Sequence, residues 1–220
     1  MTGVIHLHHE VTGAGRPVVF THGWLNSGEV WAGAVAALDG AVRSVTWDLR
    51  GHAGSAAAAP GRYGRRHALA DLDRMVTVAG APAILVGHSL GGYLSLAYAI
   101  EHPDRVAGLV MVAGGPGFRS RASLDAWNDS VRATAAGRDI PDGMEEISMH
   151  VDSMVMDRLA EITAPTVTIV GERDQRFLAS ADVFDKHLDV RRRIVVPDAG
   201  HMVHVKRPEV VAEGVLALVA

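Results

Sequence analysis

The chain contains no cysteine. Disulfides, thiolate metal sites and cysteine nucleophiles are therefore excluded. Aromatic residues make up only 5% of the 220 residues, so Ala, Val and Leu must fill most of the core. No basic run is long, and the formal net charge is −4, which argues against nucleic acid or an anionic membrane as the main partner. The cluster Arg191-Arg192-Arg193 reads as a solvated strand start. No apolar stretch reaches the length of a membrane span. The N-terminus, from Met1 to His6, has no charged region followed by an apolar one, so cytoplasmic residence is the expectation.

What is present is 48% hydrophobic and alternates between two kinds of run. Short apolar stretches at 18–21, 42–47, 84–86, 109–112, 167–170 and 194–196 read as strands. Several are apolar at consecutive positions, as strands covered on both faces must be. Between them lie helix candidates at 27–38, 65–79 and 90–102, with a last one starting at Pro208 and running to the C-terminus. This alternation implies a mostly parallel sheet with helices on both faces. The segment 5–11 reads as an antiparallel edge strand.

One stretch breaks the rhythm. Gly114-Gly115-Pro116-Gly117 signals a loop. Helix candidates follow at 123–136 and 144–162, the second with Ile147, Val151, Met154, Val155 and Leu159 at helical spacing. The reading is a small helical lid over 114–163, inserted into one domain spanning 1–220. The competing reading is two surface helices of the main layer.

Gly87-His88-Ser89-Leu90-Gly91 is a G-x-S-x-G pentapeptide lying between a strand candidate and a helix candidate. There a serine is forced onto a tight turn that lifts its hydroxyl clear of the sheet. Such a hydroxyl needs a base, and the base needs an orienting carboxylate. Among twelve histidines, His201 follows the last strand candidate, and Asp174 follows the one before it. Both fall at the sheet edge where Ser89 lies, in the chain order Ser, Asp, His. Glu172 is the alternative acid, disfavoured by its place inside the strand end. Asp198 reads as shaping its loop, and Asp152 and Asp157 as solvated.

With these residues the chain resembles the α/β-hydrolase fold family over nearly its whole length. His22-Gly23-Trp24 resembles the family's oxyanion loop. Asp48-Leu49-Arg50-Gly51-His52-Ala53-Gly54-Ser55 resembles its D-x-R-G-x-G-x-S loop, with Ala53 where glycine is usual. The nucleophile turn, the acid loop at 171–174 and Gly200-His201 complete the match. The variant with its acid after the sixth strand does not apply, because 112–118 holds no carboxylate.

The resemblance implies a mostly parallel, eight-stranded-type sheet with helices on both faces. It implies Ser89, His201 and Asp174 as catalytic residues, and the backbone N–H groups of Trp24 and Leu90 as the oxyanion hole. His22, His88, Trp127 and His204 are candidate pocket residues, as are Trp24, Met149, Met154 and Met156; the competing reading has Trp127 and the three methionines each packing the lid helices, and His204 as structural. His22 is read as bracing the oxyanion loop, His52 as filling a slot in its own loop, and His88 as packing or making a local hydrogen bond. His6, His8 and His9 alternate on the edge strand without carboxylates that would suggest a metal. No metal or cofactor is expected.

The expected activity is a serine hydrolase for a small, uncharged, largely apolar ester or related acyl compound. Alternatives on the same fold are a carbon–carbon bond hydrolase, or a lyase or cofactor-free dioxygenase that uses the His–Asp pair. A non-catalytic ligand-binding protein is the third possibility. The expected partner is a small-molecule substrate, with the chain a monomer or homodimer.

Overall fold

Strands Val106–Val112 (β5) and Ala83–His88 (β4) are buried along almost their whole length. Only a sheet covered on both faces buries consecutive side chains in this way. The computed structural model describes residues 5–219 and sets these strands in one sheet with His9–Thr12 (β1), Pro17–Thr21 (β2), Arg43–Trp47 (β3), Thr166–Gly171 (β6) and Val190–Val196 (β7). The order is β1-β3-β2-β4-β5-β6-β7. Every neighbouring pair is parallel except β1 with β3, so the expected antiparallel edge is present, confined to residues 9–12. The sheet has seven strands among the described residues rather than eight. Residues 1–4, on which most of the N-terminal reading rests, and Ala220, the end of the expected last helix, lie outside the described residues.

Two apolar cores lie on the two faces. One joins the sheet to Arg65–Ala79 (α2) and Leu90–Glu101 (α3), through Leu72, Met75, Leu94 and Leu96. The other joins it to Ala32–Ala37 (α1) and Pro208–Leu216 (α8), through Trp31, Ala34, Val211 and Val215. The pattern predicts α2 with its observed bounds. The helix expected at 27–38 begins as a 3-10 turn at Gly28–Trp31 before α1.

Arg121–Ala135 (α4) and Met154–Arg158 (α5) lie between β5 and β6. The continuous helix expected over 144–162 is not formed. A 3-10 turn at Met144–Ser148 is followed by extended chain before α5. The cause is Asn128 on α4. Its amide donates to the carbonyl oxygen of His150 and accepts from the His150 N–H, both at 2.8 Å. These are the two backbone groups a helix through residue 150 would need. Val151, expected on the buried stripe, is 69% exposed.

The sequence reading places no helix over Gln175–His187 (α6), although Phe177, Ala181 and Phe184 share a helical face. The short helix Val203–Lys206 (α7) follows β7 and leads into α8.

Candidate active site

β2, β4, β6 and β7 run parallel, so the loops after them open at one edge of the sheet. Those loops carry Trp24, Ser89, Asp174 and His201. In open α/β sheets ligands bind at this edge.

Ser89 has φ +52° and ψ −113°, a conformation side-chain-bearing residues avoid. Two contacts enforce it. A Cβ on Gly91 would lie 2.1 Å from the Thr21 carbonyl oxygen, and a Cβ on Gly87 would lie 2.4 Å from that of Gly91. Only glycine lets the turn approach this closely. The turn is tied down by Ser89 N–H to Val112 O at 3.0 Å, and by Tyr93 N–H to Ser89 O at 3.1 Å.

Leu90 opens α3. Neither its N–H nor that of Trp24 has an acceptor among the described residues. Both residues line the cavity. Two free backbone donors beside the serine form an electropositive spot, strengthened at Leu90 by the helix N-terminus.

Two buried histidines hold the Trp24 loop. Leu49 N–H donates to His22 Nε2 at 2.9 Å, which leaves His22 Nδ1–H to donate to Gly23 O at 2.7 Å. Leu25 N–H donates to His52 Nε2 at 3.2 Å, and His52 Nδ1–H donates to Arg50 O. Burial, reinforced by His52, pushes His22 down to about 3, so it stays a neutral acceptor. Asp48 accepts the N–H groups of Gly28 and Gly54 at 2.7 and 2.9 Å, fastening the loop at 48–55 to the same edge.

His201 Nδ1 lies 2.7 Å from Asp174 Oδ2, whose side chain is 10% exposed. Phe177 stacks on the imidazole at 4.9 Å and 22°. Glu172 is turned away and accepts the Asp198 N–H. Asp198 pairs with Arg173, and Asp152 and Asp157 with Arg65 and Arg119. Among the described residues no hydrogen bond joins Ser89 Oγ to His201, but both residues face one cavity of ≈ 340 Å³.

His88 and Trp127 also line that cavity. His22 and His204 do not, because both are fully buried behind it. His22 is occupied by backbone groups, and His204 packs between Trp31 and His88 at 4.7 and 4.1 Å. Met149, Met154 and Met156 are not in the lining. Residues the sequence reading missed include Tyr93, Phe118, His150, Arg176, Phe177 and Ser180. The helical periodicity of α6 was the available signal for Phe177. Nothing local marks Phe118 or His150, which are brought in by α4 and the Asn128 clamp.

A family model described as alpha/beta hydrolase fold matches residues 16–138. The chain is similar to the pimeloyl-acyl-carrier-protein methyl ester esterase of Nitrosomonas europaea, 31% identical over 176 residues, which cover 77% of this chain and 60% of that protein. It is 41% identical over 113 residues to a Caulobacter vibrioides protein provisionally named carbamate hydrolase RutD, with 49% of this chain and 42% of that protein covered. The matched stretch thus spans less than two thirds of the length of both relatives. Among solved structures, bromoperoxidase from Bacillus anthracis aligns with TM-score 0.81 at 20% identity, covering 97% of this chain and 95% of that one. An esterase from Exiguobacterium antarcticum aligns with TM-score 0.77 at 21% identity, covering 98% and 96%. At these identities the structural likeness is one of fold.

Proposed function

Because the chain belongs to the alpha/beta hydrolase fold family, we propose that it is a serine hydrolase acting on a small ester or related acyl compound with a largely apolar body. Ser89 Oγ attacks the carbonyl carbon while His201 Nε2 takes its proton. The developing oxyanion accepts hydrogen bonds from the Leu90 and Trp24 N–H groups. Collapse of the tetrahedral adduct expels the alcohol, which takes the proton from His201. A water then gives its proton to His201 and attacks the acyl-enzyme, releasing the acid and restoring Ser89. Asp174 holds the imidazole with Nδ1–H turned toward it, so Nε2 is the basic nitrogen.

The observation that carries this reading is the 2.7 Å contact of His201 Nδ1 with Asp174, made where His201 and Ser89 face one cavity. Hydrogen bonds between nucleophile and base are often long without substrate and tighten in the complex. In this reading 114–163 is a lid: α4 contributes Trp127 and Val131 to the wall of the cavity that Ser89 also lines.

The test is acylation by p-nitrophenyl butyrate together with labelling by a fluorophosphonate. Wild type should give a burst and label at Ser89. Ser89→Ala, His201→Ala and Asp174→Asn should each lower kcat by about 10⁴-fold or more. Retention of most turnover by Ser89→Ala overturns the reading. A second reading, favoured by the lack of a hydrogen bond between Ser89 Oγ and His201 among the described residues, is that the His–Asp pair deprotonates substrate and the serine only hydrogen-bonds. In that case His201→Ala loses far more than Ser89→Ala.

A further inference from the structure

The wall of the cavity carries one arginine, Arg176, and no Asp or Glu among the described residues. Arginines near it are neutralised: Arg173 pairs with Asp198, and Arg65 with Asp152. The acids that share α6 with Arg176 are engaged elsewhere, since Asp182 and Asp185 both lie 2.7 Å from Arg193. Asp174 is held by His201. Arg176 therefore makes no hydrogen bond or ion pair among the described residues. Its guanidinium lies over the Trp127 ring, 5.3 Å from the centroid. That stacking limits its rotamers while leaving its in-plane N–H donors unused. Trp127 is itself fixed by donating Nε1–H to Ser148 O at 2.7 Å.

Ser180 lies one turn further along α6, on the same face, and also lines the cavity. Its hydroxyl has no partner among the described residues. Gly115 makes room for it, because a Cβ there would lie 2.8 Å from Ser180 Oγ. Phe177, between the two on the helix, is the ring that stacks on His201. The exposed guanidinium of Arg176 and the Ser180 hydroxyl thus line the α6 side of the cavity, on either side in sequence of the ring that stacks on His201, and the rest of the wall carries aromatic, apolar and uncharged polar residues with no acid among the described residues. A carboxylate fits this arrangement, since it accepts two parallel N–H bonds from a guanidinium.

We propose that Arg176 and Ser180 form a carboxylate subsite, and that the substrate is an ester whose acyl chain ends in a carboxylate: a half-ester of a dicarboxylic acid. The proposal rests on the hydrolase reading for its chemistry and replaces the uncharged substrate expected from the sequence. Water consumed at the ester carbonyl yields the dicarboxylate, the alcohol and one proton released to solvent, with no further reactant.

The test compares methyl monoesters of succinic, glutaric, adipic and pimelic acids with neutral methyl esters of equal acyl length, by pH-stat. In wild type at least one length should show kcat/KM about tenfold or more in favour of the carboxylated ester. Arg176→Gln should bring that ratio to about one, and Arg176→Lys should keep part of it. The ratio is internal to each variant, so general damage to the enzyme does not move it. A wild-type ratio at or below one for every length, or a ratio unmoved by Arg176→Gln, overturns the proposal. If no ester of either kind is turned over, the hydrolase reading fails, and calorimetric titration with the corresponding monoamides decides the subsite. Tighter binding of the carboxylated amide, lost in Arg176→Gln, supports it. Equal binding of charged and neutral amides overturns it.

Discussion

His88 Nε2 lies 3.0 Å from the carbonyl oxygen of His201. The residue before the serine thus holds the backbone of the loop that carries the imidazole, 113 residues away in sequence. A carbonyl accepts, so Nε2 bears the hydrogen and Nδ1 is left buried without a partner. Burial, together with the neighbouring His204 and His201, keeps His88 well below the usual histidine range and therefore neutral.

His88→Leu removes that donor. It should lower kcat for an activated ester by about tenfold, because the positioning of His201, the proposed base, is lost. His88→Gln, which can place an amide N–H near Nε2, should recover most of the rate. Equal kinetics for His88→Leu and wild type would refute the positioning role.

Gly91→Ala should destabilise the fold by about 2 kcal/mol or more in urea denaturation, since its Cβ would lie 2.1 Å from Thr21 O and backbone must move. Gly40 and Gly61 have positive φ but nothing within 4 Å of an added Cβ, so Gly61→Ala should cost only the smaller conformational penalty.

Stability should fall with acidification below pH 6.5. His204 is lowered to about 4 and His22 to about 3, chiefly by burial. Both are neutral in the native state, while the unfolded chain takes up protons near pH 6.5. The native state is therefore fully favoured above 6.5 and loses roughly 1.4 kcal/mol per pH unit for each such histidine as pH drops toward 4. His204→Leu should remove one such contribution to the slope between pH 6 and 5. At pH 7 it should cost nothing, because both ring nitrogens of His204 are buried without partners. A loss above about 1 kcal/mol at pH 7 would contradict this.

Arg50 and Asp71 form a buried ion pair at 2.7 Å, with side chains 6% and 5% exposed. The guanidinium also donates to the carbonyl oxygens of His67 and Arg62, which ties the loop after β3 to α2. Asp71→Ala strands a buried cation and should cost about 3–5 kcal/mol. Arg50→Met with Asp71→Leu should cost less than Asp71→Ala alone, as measured by denaturation midpoints at constant m-value.

The bounds of α2 and the place of the serine turn were legible because they depend on signals a few residues apart. Apolar spacing marks α2, and Gly87 and Gly91 mark the turn. The break in 144–162 was not legible, because Asn128 makes it from 22 residues away by taking the backbone groups of His150. His204 read as a pocket residue because its loop adjoins His201. Only the packing of Trp31 and His88 around it shows that it faces the core.

The sequence by itself determined the strand and helix alternation and which loops carry Ser89, Asp174 and His201, since periodicity and turn chemistry act over short stretches of chain. Tertiary structure decided the rest. It closed the 2.7 Å contact between His201 and Asp174, left Arg176 without an acid among the described residues while Arg193 took two, and brought Trp127 of α4 against Arg176 of α6. Those outcomes depend on strand order and on contacts between residues tens of positions apart, where side chains compete for partners that no local pattern names.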